Sequence, residues 1–279
     1  MKTNEEIKQV VKEIYSQIAQ QSKPENASSC CGVGGCSTVD YSIFSEDYTK
    51  LEGYNPDADL ALGCGIPTQF AGIKKGDTVV DLGSGAGNDC FVARAITGET
   101  GKIIGIDMTE TMINKARENA EKLNFNNVEF RLGDIEKIPI TSNVADVVIS
   151  NCVLNLVPDK QKVFSEIYRI LKPNAHFCIS DVVLKGELPN PLKNAAEMYA
   201  GCVSGALQKE EYLTIIDNAG FKNIEIKTEK QIIIPDDILS NFLSDKEIDE
   251  LKKSNLGIFS ITVFAKKPET CCAPGGNCC

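Results

Sequence analysis

The chain has 279 residues, 42% of them hydrophobic, which is enough to build one large or two small domains with a sizeable core. Its formal net charge of −10, with a pI near 4.8, argues against a protein that holds nucleic acid through phosphate contacts. The N-terminus is charged throughout and no segment approaches a membrane span, so we expect a cytoplasmic protein with small-molecule partners, and nothing demands more than a monomer.

The cysteine and histidine counts narrow the chemistry. The sequence has 12 cysteines and one histidine, His176. In an intracellular protein such cysteines are reduced thiols, suited to metal, metalloid or redox chemistry rather than to disulfides. A single histidine disfavours mixed Cys and His zinc sites and mechanisms that use a histidine base. We therefore expect His176 to have a structural role at the start of a strand.

Residues 1–45 form an N-terminal extension. Thr3 and Glu6 fit a capping box, and apolar residues recur at helical spacing, which predicts an amphipathic helix over 4–21 that packs on the main domain. Residues 22–45 lose this pattern and contain Pro24, clustered glycines and three cysteines. We expect a mobile loop there, with the thiols of Cys30, Cys31 and Cys36.

From residue 77 onward strand-like and helix-like stretches alternate, as is typical of a parallel sheet with covering helices. The predicted strands are 77–82, 102–107, 128–132, 145–150 and 175–183, and the predicted helices are 88–96, 110–123 and 159–172. Further helices are expected around Met198, Cys202 and Leu207, at 209–219 and at 236–253. Strands at 222–234 and 257–266 are predicted to form an antiparallel pair at one sheet edge. Residues 46–268 thus form the main domain, with an insertion at 185–210 and a flexible tail at 269–279.

The stretch VVDLGSGAGND, residues 79–89, is the first chemical motif. It reads as the end of a buried strand, a tight glycine loop and the start of a helix. Glycines let the main chain approach a ligand, and the helix N-terminus offers unpaired N–H groups. Asp107 ends the second strand 20 residues after Gly87, where its carboxylate can accept both hydroxyls of a ribose. Asp134 and Ile135, beyond the third strand, then lie where an adenine ring would bind.

The loop DLGSGAG, residues 81–87, resembles the first motif of class I methyltransferases, which use S-adenosylmethionine. A dinucleotide dehydrogenase would have a later glycine where this chain has Asn88. The resemblance implies a Rossmann-like α/β fold with a mostly parallel seven-stranded sheet, helices on both faces and an antiparallel edge strand. It assigns cofactor contacts to Asp81, Gly83, Ser84, Gly85, Gly87, Asp107, Met108, Asp134, Ile135 and Asn151.

Three cysteines stand outside apolar periodic runs. Cys152 follows the fourth strand, which neighbours the first in this sheet order, so its thiol is expected near the cofactor's methyl group. Cys64 and Cys202 lie between glycines, and three such thiols would suit a soft, three-coordinate centre if they converged. Cys90 and Cys178 fall within a helix and a strand, where a cysteine is ordinarily a small buried hydrophobe.

Several motifs in order resemble arsenite methyltransferases: LGCG at 62–65, DLGSGAGND at 81–89, GIDMT at 105–109, SNCVLNLVPD at 150–159 and GCVSGAL at 201–207. The resemblance implies S-adenosylmethionine as methyl donor and trivalent arsenic held by Cys64, Cys152 and Cys202. A further family cysteine corresponds to one of Cys30, Cys31 or Cys36. The family often has an aromatic residue where this chain has Leu62, and longer members carry an additional C-terminal domain.

The implied mechanism starts from neutral arsenite, whose hydroxyls exchange for the three thiols and leave as water. The arsenic lone pair then attacks the sulfonium methyl, and an external thiol reductant of the glutathione or thioredoxin type restores the site, giving a role in arsenic detoxification. Two alternatives remain open: a methyltransferase for carbon, oxygen or nitrogen of a small metabolite, with structural cysteines, and a non-catalytic protein that binds thiophilic metals. The vicinal pairs Cys30–Cys31, Cys271–Cys272 and Cys278–Cys279 either deliver arsenic or electrons, or bind thiophilic ions incidentally.

Overall fold

The computed structural model describes residues 3–21, 46–186, 205–232, 236–240, 243–253 and 257–269. The strands are β1 (Thr78–Leu82), β2 (Lys102–Asp107), β3 (Val128–Leu132), β4 (Ala145–Asn151), β5 (Leu171–Lys185), β6 (Lys222–Ile232) and β7 (Gly257–Lys266). The helices are α1 (Asn4–Ile18), α2 (Pro67–Phe70), α3 (Asn88–Thr97), α4 (Glu110–Lys122), α5 (Lys160–Ile170), α6 (Lys209–Asn218), α7 (Asp236–Leu239) and α8 (Asp245–Lys253). None of these helices is long and apolar enough to cross a membrane.

The strands form one seven-stranded sheet in the order β3-β2-β1-β4-β5-β7-β6. The first five strands run parallel, β7 runs antiparallel to β5, and β6 runs antiparallel to β7. The predicted mostly parallel sheet with an antiparallel pair at one edge is therefore confirmed. The sheet order reverses between β1 and β4, and open α/β sheets bind ligands at such a switch point, outside the carboxyl ends of the strands.

Both faces of the central strands are buried, because these strands are apolar at consecutive positions. Val80 and Leu82 of β1 face one layer, which contains Phe164 and Ile167 of α5 and the ring of Tyr212 from α6. The intervening Val79 faces the opposite layer, which contains residues from α1, α3 and α4. Each fully buried aliphatic or aromatic side chain contributes roughly 1.5–3 kcal/mol to folding, so these two layers hold the sheet rigid behind the site.

Helix α1 packs on the main domain as predicted. The Thr3 hydroxyl accepts a hydrogen bond from the Glu6 N–H (3.3 Å), and the Glu6 carboxylate accepts one from the Thr3 N–H (2.6 Å), which completes the predicted capping box. The helix ends at Ile18 rather than at residue 21. Ile18 joins the layer under α3 and α4, and Val11 is buried in a separate cluster near the strand ends.

Two predictions about the C-terminal half are wrong in detail. Leu207 is not helical: its carbonyl accepts a hydrogen bond from the Leu184 N–H (2.8 Å), because β5 extends to Lys185 and pairs with the incoming chain. The single helix predicted over 236–253 is two helices, α7 and α8. The other residues of the helix predicted around Met198 and Cys202 lie outside the described residues.

Candidate active site

A cavity opens at the carboxyl ends of β1, β2, β3 and β4. It has about 1070 Å³ of empty volume, including solvent at its mouth. From the predicted cofactor residues its lining contains Asp81, Gly83, Ser84, Gly85, Asp107, Met108, Asp134, Ile135 and Asn151. Gly87 is not part of this lining and instead caps the N-terminus of α3. Strand ends that are far apart in the sequence thus meet at one cavity.

The glycine loop shows why its residue types are needed. Gly83, Gly85 and Gly87 have φ angles of 71°, 51° and 101°, in the left-handed region that favours glycine. A β-carbon at Gly83 would overlap the Val153 side chain, and one at Gly87 would lie 2.8 Å from the Phe91 ring. A β-carbon at Gly85 would meet nothing within 4 Å. Gly83 and Gly87 therefore serve packing, while Gly85 faces open space.

Two polar atoms in the cavity wall are available to hydrogen-bond with a ligand. Ser84 Oγ and Asn88 Oδ1 are buried and have no hydrogen-bond partner among the residues that the structure describes. An unsatisfied buried polar group costs about 1–3 kcal/mol, so such atoms ordinarily have a partner. Apolar side chains of Met108 and Ile135 lie in the same wall. This mixture of polar and apolar surface fits a nucleoside joined to an amino acid, as S-adenosylmethionine is.

Asp107 is fixed by the backbone around it. Its carboxylate accepts hydrogen bonds from the Gly85 N–H (3.0 Å) and the Thr109 N–H (2.8 Å). Burial raises the pKa of Asp107, and these backbone donors oppose that rise because they stabilise the charged form. The carboxylate thus ties the glycine loop to the end of β2, at the position predicted for ribose recognition.

Asp134 has a partner that the sequence analysis missed. Its carboxylate accepts from Lys8 Nζ (2.7 Å) and from the Glu136 N–H (2.8 Å), and Lys8 Nζ also contacts the Glu136 carboxylate (2.5 Å). Burial lowers the pKa of Lys8, but the hydrogen bonds to the two carboxylates outweigh it and raise that pKa overall. Lys8, Val11 and Tyr15 share one helical face by their spacing, and the latter two line the cavity. Helix α1 therefore covers the cavity. The helical spacing of these three residues was the one feature of the sequence that could have predicted this.

Cys152 lines the cavity directly after β4. It is 6% exposed, and its φ of 61° is unusual for a residue other than glycine. Its N–H donates to the Ser180 carbonyl (2.8 Å), which holds this conformation in place. A strained backbone at a cavity wall is typical of a functional position, where the surrounding structure fixes the side-chain direction.

Cys64 lies in the turn before α2 and is 1% exposed. Its N–H donates to Asn151 Oδ1 (3.0 Å), and the preceding Gly63 lines the cavity. Cys64 and Cys152 belong to the same buried cluster. The structure thus brings together two of the three predicted thiols.

Known proteins that are similar to this chain in sequence and fold identify its family. A family model described as a methyltransferase domain matches residues 73–220. The chain is 40% identical to an arsenite methyltransferase of Halobacterium salinarum, over 95% of this chain and 67% of that protein. It is 31% identical to an arsenite methyltransferase of Aquipseudomonas alcaligenes, over 84% of this chain and 68% of that one. The chain belongs to the arsenite methyltransferase family.

A solved structure from this family supports the fold. It is CrArsM, an arsenic(III) S-adenosylmethionine methyltransferase from Chlamydomonas reinhardtii, and it matches with a TM-score of 0.62 and 31% identity. The match covers 76% of this chain and 68% of that one. The predicted Rossmann-like methyltransferase fold is therefore confirmed. Leu62, which precedes the Gly-Cys-Gly turn, lines the cavity together with Tyr15 and Tyr48.

The third predicted arsenic ligand and the other candidate thiols belong to segments outside the described residues. Cys202 lies outside the described residues, as do Cys30, Cys31 and Cys36 and the C-terminal cysteine pairs. Among the residues described, no group of three or more Cys, His, Asp or Glu side chains is arranged to hold a metal ion. Gly205, three residues after Cys202 in the sequence, accepts a hydrogen bond from Lys160 Nζ (3.0 Å).

Cys90, Cys178 and His176 are structural, as predicted. Both cysteines are fully buried, and burial raises the pKa of Cys178 to about 12. Burial, followed by the nearby Asp81 carboxylate, also raises the pKa of Cys90, whose thiol lies 3.2 Å from that carboxylate. The His176 ring contacts the Ala71 carbonyl and packs against Phe264 in the first half of β5, and burial lowers its pKa.

Proposed function

We propose that this chain methylates trivalent arsenic, with arsenic held by Cys64, Cys152 and Cys202. The observation that carries the proposal is the strained, buried Cys152 in the wall of the cofactor cavity, with Cys64 in the same buried cluster. Thiolates are soft ligands that suit a soft, three-coordinate centre. A buried pair of soft ligands beside a methyl-donor cavity is a specific arrangement, which a methyltransferase for oxygen or nitrogen does not require.

The binding step balances without a dedicated base. Each As–OH group exchanges with one thiol, forming an As–S bond, while the thiol proton and the departing hydroxide combine as water. Only one histidine is present in the sequence, and it packs against Phe264 away from the cavity. Cys202 supplies the third sulfur in this proposal, and the support is the resemblance of GCVSGAL at 201–207 to the corresponding motif of arsenite methyltransferases.

The cofactor half of the cavity is proposed to hold S-adenosylmethionine. Its glycine loop receives the methionine end, Asp107 the ribose hydroxyls, and Asp134 and Ile135 the adenine ring. When bound, the cofactor supplies an electrophilic methyl group on a sulfonium, to which the lone pair of arsenic is the nucleophile. The residues of the chain contribute by holding nucleophile and methyl group in line and by excluding water.

The surrounding biology follows from the thiol chemistry. The site works only while its thiols are reduced, so we propose an external thiol reductant of the glutathione or thioredoxin type and a cytoplasmic location. We further propose that the product serves arsenic detoxification, that one of Cys30, Cys31 and Cys36 joins the site, and that the chain acts as a monomer. Residues 1–45, 46–268 and 269–279 are proposed as extension, methyltransferase domain and tail, with 185–210 covering the substrate.

One assay separates this function from its alternatives. The purified chain is incubated with arsenite, S-adenosylmethionine and a thiol reductant, and the arsenic species are separated and quantified. We expect methylated arsenic, with one S-adenosylhomocysteine formed for each methyl group transferred. Recovery of arsenite alone, from a protein that still binds the cofactor, would refute the proposal and favour a thiophilic-metal binding protein. Methylation of a small metabolite that persists when Cys152 is replaced by serine would favour the other methyltransferase.

A further inference from the structure

We propose that Tyr48 and Asn151 are positioning residues, which fix the spacing between the thiols of Cys64 and Cys152. The inference rests on the proposed function, because it concerns the same pair of thiols. The contacts described below join these two side chains to other residues of the chain, so they act by holding the thiols in place and not by binding arsenic or the methyl group. Its basis is a set of hydrogen bonds that hold the turn at residues 63–65 from both sides.

The backbone of Cys64 is hydrogen-bonded through both its N–H and its carbonyl group. Its N–H donates to Asn151 Oδ1 (3.0 Å), and its carbonyl accepts from the Ser260 hydroxyl. Asn151 is the last residue of β4 and directly precedes Cys152. The side chain of one residue therefore connects the backbone of Cys64 to the strand that carries Cys152.

Tyr48 holds the other side of the same turn. Its hydroxyl lies 3.0 Å from the Gly65 carbonyl and 2.8 Å from Asp89 Oδ1, and it accepts from Asn151 Nδ2 (2.8 Å). The Asn151 amide also lies within hydrogen-bond distance of the Gly65 carbonyl (2.8 Å) and Asp89 (3.1 Å). Tyr48 is 4% exposed and Asp89 8% exposed, so this network works away from solvent, where hydrogen bonds are strongest.

The glycines of the turn show how closely it fits. A β-carbon at Gly63 would lie 2.5 Å from Asn151 Nδ2, and one at Gly65 would lie 2.5 Å from Ser180 Oγ. Ser180 is also the residue whose carbonyl accepts the Cys152 N–H. The turn that carries Cys64 and the backbone of Cys152 thus share two neighbours, Asn151 at the end of β4 and Ser180 of β5. The turn cannot shift away from β4 without breaking its hydrogen bonds to Asn151.

The spacing matters because an arsenical that bridges two thiols needs both sulfurs at once, whereas an alkylating reagent needs one. Removing the Tyr48 hydroxyl loosens the turn while leaving both thiols in place. Bridging should therefore weaken, and the chemistry of each separate thiol should not. This contrast distinguishes positioning from general damage to the fold.

The test uses a four-thiol chain. In this full-length variant the eight cysteines at 30, 31, 36, 202, 271, 272, 278 and 279 are serine, and Cys64, Cys90, Cys152 and Cys178 remain. Phenylarsine oxide, which bridges two thiols, is titrated into it, and alkylation by iodoacetamide is followed residue by residue. The affinity for S-adenosylmethionine is measured in parallel as a check on the fold.

Tyr48→Phe is expected to weaken phenylarsine oxide binding about tenfold, the effect of losing one to two net hydrogen bonds. The alkylation rates of Cys64 and Cys152 and the cofactor affinity should stay within about twofold. Tyr168→Phe is the matched control: this ring packs against Phe221 on α5's side of the sheet, and the substitution should change none of the readouts.

Three outcomes would overturn the proposal. These are unchanged bridging in Tyr48→Phe, a parallel change in bridging and alkylation, and failure of the four-thiol chain itself to bind phenylarsine oxide. The proposed function is judged separately by the arsenic speciation assay. Tight bridging that weakens in Tyr48→Phe, in a chain that forms no methylated arsenic, would refute the function and leave the positioning role standing.

Discussion

The two halves of the cavity are built in different ways. The glycine loop of the cofactor half depends on contiguous residues 83–87, where Gly83, Gly85 and Gly87 have left-handed backbones and Gly85 leaves the cavity open. The thiol half depends on side chains far apart in the sequence, since Cys64 meets Asn151 across 87 positions and Tyr48 meets it across 103. The first arrangement is local in the sequence. The second exists only after the chain has folded, and it is the half that we propose selects arsenic.

The largest effect is expected in the thiol half. Replacing Cys152 or Cys64 by serine exchanges a soft sulfur for a hard oxygen, so arsenite methylation should fall about 1000-fold, equivalent to about 4 kcal/mol of activation free energy. Cofactor affinity, measured by calorimetry, should change less than about threefold, because the substituted thiols belong to the other half of the cavity. A tenfold change would correspond to about 1.4 kcal/mol of binding free energy. A variant that lost cofactor binding to the same degree as turnover would show that the two halves are not separable.

The next effect tests the cofactor half by comparing two glycines. Gly85→Ala places a methyl group in open cavity space, so S-adenosylmethionine should bind about tenfold more weakly. Both positions have left-handed backbones that strain an alanine, but Gly83→Ala also meets Val153, so it should lower the free energy of unfolding by about 1–3 kcal/mol more than Gly85→Ala does, through overpacking. Thermal melts and cofactor titrations on both variants give the answer. Equal loss of cofactor affinity with equal loss of stability would contradict the distinction between the two positions.

A smaller effect is expected at helix α1, which covers the cavity. Lys8→Met removes the ion pair with Asp134 and Glu136 but keeps a long apolar side chain under α1. The cofactor should dissociate about threefold faster, and this difference should shrink as salt rises, because the ion pair is partly exposed at Asp134. Stopped-flow dissociation at two ionic strengths measures it. Lys12→Met, on the exposed face of the same helix, is the control. An equal change in the dissociation rate of that variant would show that the Lys8 ion pair does not retain the cofactor.

The smallest effect concerns the buried cysteines outside the cavity. Cys178→Ala should leave arsenite turnover within about twofold and lower the free energy of unfolding by about 1 kcal/mol, because it deletes a buried side-chain atom from a packed layer. Chemical denaturation and the speciation assay measure the two quantities. If Cys178→Ala abolished methylation, thiol count rather than thiol position would control the chemistry.

How much the sequence predicted depends on the range of the interactions involved. β2, β3 and β7 have the predicted ends, because apolar runs bounded by charged or glycine residues determine them. The placement of Cys152 beside the glycine loop followed from the parallel order of β4 and β1. These features need only local patterns and a topology rule.

The contacts that sequence reasoning missed are long-range pairings of side chains. Lys8 meets Asp134 across 126 positions, and a lone lysine on a helical face does not name its partner. Leu207 had a helical pattern but was taken up by pairing with the end of β5, since tertiary hydrogen bonding outweighs a weak local preference. Tyr48 carried no motif, because its role arises only when the turn at 63–65 meets β4.

The central claim is that arsenic is bound by sulfur within the folded domain and beside the cofactor cavity. X-ray absorption at the arsenic edge tests it most directly, on arsenite bound to the four-thiol chain with Cys202 restored. The account predicts arsenic with sulfur neighbours only, about three in number as its coordination preference requires, and the loss of one in Cys152→Ser. An arsenic centre coordinated mainly by oxygen, or one whose sulfur count is unchanged in Cys152→Ser, would contradict it.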